Sequence, residues 1–306
     1  MSDQTFKTYQ KNDARAVPRA AALHDLSCFG RCALTVIAPV LSSMGVQCVP
    51  IPTALLSTHT GGFSDMYFCE LDGAIPQIAD HFEELGLKFD AVYTGFLGSA
   101  RQVEMIRDFI CRFGEDDGRG GVPLVLVDPV LGDDGELYHT CTPELAAAMR
   151  GLCAHADVIT PNLTEACMMV GEDYTRAVSR AAEDAAGLCR ELTDRIFVAV
   201  GGDRLRGVVI TGLPTMDGDV MTSAGERDGE VAITSQRRVA RDYPGTGDIF
   251  ASVLLARLLG GKNLAAAAED ASRFAAKCAE VTLAAAPDEP TRYGVALELV
   301  LEKHEE

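Results

Sequence analysis

The chain has 306 residues, of which 47% are hydrophobic, enough to bury a core on both faces of a sheet. Its 27 Lys and Arg against 45 Asp and Glu leave a formal net charge of −18, which argues against a nucleic-acid partner because phosphate backbones are bound by clustered cations. The sequence has no signal peptide and no apolar run long enough to span a membrane, and its ten cysteines show no disulfide or zinc spacing. We therefore expect a cytoplasmic protein with reduced thiols.

Short apolar runs alternate with segments of helical period along most of the chain. Residues 1–18 predict a flexible N-terminal tail, and residues 19–306 predict a single domain because no linker or repeat divides them. The apolar runs predict strands at 20–24, 47–52, 91–94, 123–127, 157–160 and 196–200. The periodic segments predict helices at 31–44, 73–85, 163–170, 175–193, 246–259, 263–283 and 291–303, and a capping box at Ser99 and Gln102 predicts one more.

This alternation predicts an α/β fold with a central, mainly parallel sheet and helices on both faces. The stretch 205–236 differs, because its short predicted strands at 208–211, 219–222 and 231–235 are joined by Gly-Asp and Asp-Gly turns. We interpret that stretch as a short antiparallel edge on the parallel sheet. The charged stretch 114–121 predicts a mobile loop.

Polar residues and glycines cluster directly after the predicted strands. Ligands of open α/β sheets collect at the carboxyl ends of the strands, so these clusters predict one binding site along a single rim of the sheet. The clusters are 24–25, 57–62, 94–95, 128–130, 160–162 and 201–203.

The strongest local motif is Gly-Thr-Gly-Asp at 245–248, which runs into an apolar helical face. A glycine turn that enters a helix presents unpaired N–H groups and the positive end of the helix dipole, which suits a phosphoryl group in transfer. Asp248 would accept the proton of an attacking hydroxyl. On this fragment alone, an ordinary N-cap remains the alternative. The chain has no Walker A loop, and Phe250 replaces the third glycine of a dinucleotide-binding fingerprint.

Four other acidic or amide side chains are candidate ligands of a nucleotide or a metal ion, and two of them could instead cap a helix. Asn162 and Glu165 have the spacing of a helix cap and its reciprocal partner, or they would face a nucleotide phosphate and order Mg²⁺ through water. Asp128 and Asp133 are further oxygen donors. Asp128 ends a buried strand, where a carboxylate needs a partner.

Taken in order, these motifs resemble the ribokinase-like superfamily and, within it, the pyridoxal (pyridoxine, pyridoxamine) kinases. The similarity extends from about residue 20 to residue 282, and its five segments are 52–60, 94–99, 128–133, 159–165 and 245–248. The first two segments favour the vitamin B6 branch. The resemblance implies a three-layer sandwich, a requirement for ATP and Mg²⁺, and a homodimer.

The resemblance also implies a role for each matching residue on the ATP side. Asp248 would be the catalytic base, and the anion hole would be formed by Gly245, Thr246 and Gly247. The residues around ATP would be Asn162, Asp128 and Gly201, of which Gly201 falls where relatives have Thr-Ser beside the nucleotide. The residues around the metal would be Glu165, Asp128 and Asp133.

On the acceptor side, the resemblance implies a pyridine pocket lined by Ser27, His59, Thr60 and Phe96. An aromatic ring there suits a flat heteroaromatic substrate, although Phe96 stands where a tyrosine is frequent. His24 and Asp25 compete with Ser27 for the contacts to the ring nitrogen and the 3-hydroxyl.

Three functions follow from these patterns. The first is ATP-dependent phosphorylation of the 5′-hydroxymethyl group of pyridoxal, pyridoxamine or pyridoxine. The second is the related hydroxymethylpyrimidine kinase reaction of thiamine biosynthesis. The third, of another class, is a non-catalytic small-molecule binding protein on the same fold. The intact Gly-Thr-Gly-Asp motif argues against the third.

Overall fold

The computed structural model describes residues 17–115 and 122–301. Most of the predicted tail and of the predicted loop 114–121 lies outside these residues. Eleven strands occur in the described residues: β1 Arg19–Phe29, β2 Gln47–Thr58, β3 Phe68–Glu70, β4 Ala91–Thr94, β5 Leu124–Val127, β6 Gly132–Asp133, β7 Glu136–Leu137, β8 Val158–Ile159, β9 Gly207–Pro214, β10 Asp219–Glu226 and β11 Val231–Arg237.

Eight α-helices connect these strands, followed by two 3₁₀ turns, Thr291–Tyr293 and Leu297–Leu299. The helices are α1 Leu34–Ser43, α2 Ala74–Glu84, α3 Ala100–Phe113, α4 Pro143–Cys153, α5 Leu163–Val170, α6 Tyr174–Val200, α7 Thr246–Leu259 and α8 Leu264–Ala285. Within the described residues, most connections between parallel strands therefore contain a helix, as parallel pairing requires.

Nine strands form one sheet in the order β11-β10-β9-β8-β5-β4-β1-β2-β3. The central strands from β9 to β2 are parallel to their neighbours. Strands β10 and β11 form the predicted antiparallel edge, whereas β9 itself is parallel to β8. The antiparallel strand β3 at the other edge was not predicted, because three residues are too few for a recognisable period.

Helices cover both faces of the sheet. Along β1, Ala20 and Ala22 pack in a core with α1, α7 and α8, whereas Ala21 and Leu23 pack in a second core with α2 to α6. Alternate side chains of a strand point to opposite faces, so one apolar run contributes to both cores. The predicted three-layer α/β sandwich is confirmed.

Two predicted elements are wrong. Residues 196–200 are the last part of α6, not a strand, and Ile196 and Phe197 are buried on its inner face. A short apolar run does not distinguish a strand from a buried helical segment, and here the strand begins later, at Gly207. The predicted helix 291–303 is replaced by the two 3₁₀ turns, because Gly294 between them has a φ of 79°. Residues 302 and 303 lie outside the described part.

Strands β1 and β2 are longer than predicted and project past the rim of the sheet. β1 pairs with β4 only from Ala20 to Leu23, but it pairs with β2 as far as Phe29 opposite Thr58. β3 pairs with the same end of β2. We call residues 25–29, 54–58 and 68–70 the overhang. It forms a wall beside the carboxyl ends of the parallel strands.

Candidate active site

The Gly-Thr-Gly-Asp motif forms the start of α7. Gly245 has a φ of 82°, and a Cβ at this position would collide with the carbonyl oxygen of Arg31, so the turn requires glycine. The hydroxyl of Thr246 donates to the carbonyl of Tyr243 at 3.0 Å and does not cap the helix. The alternative of an ordinary side-chain N-cap therefore does not hold at this motif.

The first amides of α7 are free. Ile249 N–H donates to the carbonyl of Gly245 at 3.0 Å, whereas the N–H groups of Thr246, Gly247 and Asp248 find no acceptor among the described residues. Three unpaired donors and the positive end of the helix dipole form a binding site for an anion.

The side chain of Asp248 reaches from the first turn of α7 to the turn that follows β1. Its Oδ2 accepts the N–H of Ala33 at 2.9 Å and lies 3.4 Å from Sγ of Cys32. Burial raises the pKa of Asp248, while the hydrogen bonds from Ala33 and Cys32 act in the opposite direction. The carboxylate at the start of α7 is thus fixed by a group from another element.

The turn that holds Asp248 is strained. Arg31 and Ala33 both have positive φ values, 40° and 50°, although neither is glycine. Such conformations persist only where surrounding contacts enforce them, and they concentrate at functional sites. The contact between Gly245 and the Arg31 carbonyl provides one of these constraints.

Two more carboxyl groups interact electrostatically with Asp248. Burial first and the charge of Asp248 second raise the pKa of Asp128 to about 7. Burial, with a smaller effect of Asp248, likewise raises the pKa of Asp25 to about 6. None of the three forms an ion pair within residues 17–115 and 122–301. Carboxyl groups that have no cationic partner among these residues suit a ligand that brings positive charge of its own.

Asn162 and Glu165 form a complete capping box at the start of α5. Asn162 Oδ1 accepts the N–H of Glu165 at 2.9 Å, and Glu165 Oε2 accepts the N–H of Asn162 at 2.8 Å. The remaining groups tie α5 to the loop after β5, since Glu165 Oε1 accepts from Leu131 N–H and Asn162 Nδ2 donates to the Gly132 carbonyl. Both residues therefore have structural roles as caps, and a ligand would meet them already positioned.

The arrangement fits a sparsely coordinated magnesium ion. No group of three His, Cys, Asp or Glu side chains able to hold a metal occurs among the described residues. Mg²⁺ needs only one or two carboxylates when water and phosphate complete its shell. Asp128 uses Oδ1 to accept the Thr160 hydroxyl at 3.0 Å, so its other oxygen remains available. Asp133 lies on β6 and is exposed, so it can be reached by a ligand.

Gly201 does not lie with these residues. It follows the last residue of α6 and precedes the first residue of β9. It therefore lies at the amino ends of the parallel strands, on the side opposite the carboxyl rim. The residue beside Asn162 is Thr211, which pairs with it in a parallel bridge and donates its N–H to the Pro161 carbonyl at 3.0 Å. Gly212 follows with a φ of 74°. Sequence reasoning missed Thr211 and Gly212 because it assigned all of β9 to the antiparallel edge, although Thr-Gly directly after an apolar run was the available signal.

The structure distinguishes the three residues of β1 that compete for contacts to the acceptor: His24, Asp25 and Ser27. Ser27 donates its hydroxyl to Asp25 Oδ2 at 2.8 Å, and both side chains lie on the overhang. His24 is fully buried, its ring packs 4.2 Å from that of Tyr93, and neither ring nitrogen has a partner among the described residues. Burial lowers the pKa of His24 to about 3. His24 is therefore a neutral core residue, and Asp25 and Ser27 remain on the acceptor side.

His59 is engaged on both ring nitrogens. Its Nδ1 accepts the N–H of Gly61 at 3.0 Å, so Nε2 carries the proton and donates to the Arg292 carbonyl at 2.7 Å. The ring also packs edge-on against Phe63. His59 therefore joins β2 to the C-terminal segment, a contact between residues 233 positions apart that sequence reasoning missed.

Thr60 and Phe96 lie on two different loops at the carboxyl rim. Thr60 is exposed directly after β2 and His59, whereas Phe96 is half-buried after β4. The Thr53 hydroxyl of β2 donates to the backbone carbonyl of Phe96 at 3.5 Å, which ties the Phe96 loop to β2. A common pocket of Ser27, His59, Thr60 and Phe96 stays a prediction.

Comparison with known proteins identifies the family. The model of the family described as phosphomethylpyrimidine kinase matches residues 39–288. The chain belongs to this family. It is therefore a phosphotransferase with an alcohol group as acceptor, and the predicted kinship with the pyridoxal kinases is confirmed by the relatives below.

Solved structures with this fold extend over nearly the whole chain. A protein of Bacteroides thetaiotaomicron, provisionally named a phosphomethylpyrimidine kinase, is 38% identical with a TM-score of 0.83, and the match covers 94% of each chain. A second crystal form of that protein contains pyridoxal. The pyridoxal kinase of Lactobacillus plantarum is 30% identical, with a TM-score of 0.79 over 93% of this chain and 96% of that one.

A curated relative is also a kinase of the B6 vitamers. The pyridoxine/pyridoxal/pyridoxamine kinase of Bordetella avium is 29% identical over 256 residues, which are 80% of this chain and 79% of the relative. Among the described residues, no helix has the length and apolar character needed to cross a membrane.

Because burial raises the pKa of Asp128, we expect the free energy of unfolding to depend on pH. The folded protein binds this proton more tightly than the unfolded chain does, so the Asp128 contribution to stability is lost as the pH rises from about 4 to about 7. In the variant Asp128→Asn this loss should be absent. Without ligands, the stability of the variant relative to wild type should increase across that window by about 1–3 kcal/mol. Thermal unfolding of both proteins across the window measures it, and a constant difference would contradict the assignment.

Proposed function

We propose that this protein transfers the γ-phosphoryl group of ATP to the 5′-hydroxymethyl group of pyridoxal, pyridoxamine and pyridoxine. The observation that carries the proposal is that the first turn of α7 holds both the Asp248 carboxylate, fixed by the Ala33 N–H, and three N–H groups without an acceptor among the described residues. The pyridoxal bound by the Bacteroides protein and the names of the Lactobacillus and Bordetella relatives support the B6 vitamers as acceptors.

In the proposed reaction the substrate hydroxyl oxygen attacks the γ-phosphorus of ATP, and the bond from that phosphorus to the ADP oxygen breaks. Asp248 accepts the hydroxyl proton, which leaves late in a loose transition state. The Ala33 N–H holds the carboxylate in place. The N–H groups of Thr246, Gly247 and Asp248 stabilise the negative charge on the transferred group.

Residues of α5 and of the segment that follows β5 would hold the nucleotide and its metal. Asp128 and Asp133 would bind Mg²⁺ directly or through water, and Glu165 would orient the surrounding loop through its bond to Leu131 N–H. Mg²⁺ would neutralise charge on the phosphates. Asn162 and Thr211 would lie along the nucleotide. A homodimer in the cytoplasm, in which residues 19–306 form one domain, stays a prediction from the sequence.

Hydroxymethylpyrimidine kinase is the second candidate, favoured by the description of the matching family. A steady-state assay of ADP release with pyridoxal, pyridoxamine, pyridoxine and hydroxymethylpyrimidine, each with and without Mg²⁺, decides between them. We expect kcat/KM for at least one vitamer to exceed that for the pyrimidine by about tenfold or more, a difference of about 1.4 kcal/mol. Turnover of the pyrimidine alone would refute the B6 proposal, and no turnover of any acceptor would favour the non-catalytic binding protein.

A further inference from the structure

Cys32 contacts the proposed base, and the proposed reaction gives it no role. Its Sγ is 3.4 Å from Oδ2 of Asp248, and the Ala33 N–H donates to the same oxygen at 2.9 Å. Two consecutive residues of the turn after β1 therefore bind one oxygen of the carboxylate. The other oxygen, Oδ1, accepts no hydrogen bond from the described residues and is available to a ligand.

The surroundings of Cys32 keep its thiol protonated. Burial first and the charge of Asp248 second raise the pKa of the thiol, because a thiolate here would stand next to a carboxylate. Reactive cysteines have the opposite environment, in which nearby cations stabilise the thiolate. A neutral S–H group can donate one hydrogen bond, and Asp248 provides the acceptor. Cys32 is therefore a donor to the base and not a nucleophile.

The backbone of Cys32 is held from two sides. Its N–H donates to Oγ1 of Thr35 at 3.1 Å, and the Thr35 hydroxyl donates to its carbonyl at 2.8 Å. On the other side Gly245 packs so closely that a Cβ there would lie 3.4 Å from Cα of Cys32. Arg31 and Ala33, the two neighbours of Cys32 in the chain, both have positive φ values. Such strain persists where surrounding contacts enforce it, and here the strained turn brings two donors to one oxygen.

The thiol is the only side-chain donor to Asp248 in the part of the chain that the structure describes. Asp25, Asp128 and Tyr93 also interact electrostatically with Asp248, but none of them donates a hydrogen bond to it. His59 uses both ring nitrogens elsewhere, in an arrangement that requires the neutral ring. Loss of the thiol should therefore make the charged, proton-accepting form of the carboxylate less stable.

We propose that Cys32 is a positioning residue for phosphoryl transfer, because its S–H donates to Oδ2 of Asp248 and thereby presents Oδ1 to the hydroxyl of the acceptor. The carboxylate can rotate about its Cβ–Cγ bond, and two donors fix its plane better than one. Oδ1 takes the proton when the hydroxyl oxygen attacks the γ-phosphorus, and the S–H bond of Cys32 stays intact. The inference rests on the proposed function, because it assumes that Asp248 is the base.

The variants Cys32→Ala and Cys32→Ser test the inference through kcat and KM, measured for ATP and for the vitamer that wild type turns over fastest. Cys32→Ala should lower kcat by about 3- to 30-fold, the effect of one lost hydrogen bond to a charged group, while both KM values change by less than about twofold. Cys32→Ser keeps a donor and should retain at least about a third of the wild-type kcat. Cys111→Ala, which removes an exposed thiol from α3, is the matched control and should leave kcat unchanged.

The pH dependence of kcat separates a donor to the base from a residue that only supports the fold. A hydrogen bond to the charged carboxylate lowers the pKa of Asp248, so loss of the thiol should raise that pKa further. The acid limb of the kcat profile should therefore move to higher pH in Cys32→Ala and return toward the wild-type position in Cys32→Ser. In the background of Asp248→Asn, Cys32→Ala should lower kcat by less than about a further twofold, because no base is left to position.

The inference is overturned by a wild-type kcat in Cys32→Ala, by equally low kcat values in the alanine and serine variants, by a loss confined to KM, or by an unshifted acid limb. If Cys32→Ala does not fold, the serine variant decides, because a kcat below about a third of wild type in folded Cys32→Ser overturns the donor role. A wild-type protein that phosphorylates no acceptor would overturn the proposed function as well. An active wild type with an unaffected Cys32→Ala would overturn only this inference.

Discussion

Replacement of Asp248 by asparagine should lower kcat by about 10²–10⁴-fold, the usual contribution of a general base. Asparagine has nearly the same shape, and its carbonyl oxygen can still accept the Ala33 N–H, so the turn after β1 should keep its position. What the variant loses is the group that takes the proton from the attacking hydroxyl. Steady-state kinetics with the preferred acceptor measures the effect, and Asp248→Ala should be at least as inactive.

Stability measurements separate this loss from unfolding. Burial raises the pKa of Asp248, so its charged form is unfavourable in the folded protein above the ordinary pKa of an aspartate. Removal of the charge should therefore leave the thermal unfolding temperature at neutral pH equal to that of wild type or higher, and the affinity for ATP should change little. Asp203→Asn, far from the rim, serves as the control for charge removal. Full activity of Asp248→Asn would contradict the proposed role.

Replacement of Gly245 by alanine should lower kcat by about 10²–10³-fold, as the loss of a transition-state donor does in other enzymes. A Cβ at this position collides with the carbonyl of Arg31, so the start of α7 must move away from the turn that holds Asp248. The free amides would then be displaced relative to the turn that holds the base. Kinetics at saturating ATP and acceptor measures the loss of kcat.

Gly86→Ala is the matched control for backbone strain. Gly86 has a φ of 62°, and a Cβ there would meet no atom within 4 Å, so this variant introduces only the cost of a left-handed residue, about 1–2 kcal/mol. Both variants should lose a similar amount of stability from that cost. Only Gly245→Ala should lose activity. Equal activity of the two variants would show that the contact with Arg31 does not position the anion site.

The two predictions, for Asp248 and for Gly245, depend on the same turn. The turn between β1 and α1 contacts the anion site through the Arg31 carbonyl and contacts the base through the Ala33 N–H. Its positive φ values at Arg31 and Ala33 destabilise the fold locally. Buried carboxylates at Asp25 and Asp128 add to this cost. Such destabilised groups are typical of sites arranged for a ligand rather than for stability.

The sequence by itself determined the features that depend on local patterns. The alternation of apolar runs and helical periods predicted the three-layer sandwich, because each element must bury one face or stripe. The capping box of Asn162 and Glu165 depends on residues three positions apart, and the structure contains both of its hydrogen bonds. The Gly-Thr-Gly-Asp motif predicted a turn into a helix with free amides for the same reason.

Only the tertiary structure decided which distant residues meet. The Ala33 N–H that holds Asp248 lies 215 positions away from it, and no local pattern indicates that contact. Thr211 rather than Gly201 lies beside Asn162, because the run 196–200 is helical and the strand begins at Gly207. A short apolar run has the same composition in either state, so the choice between helix and strand depends on what packs against it.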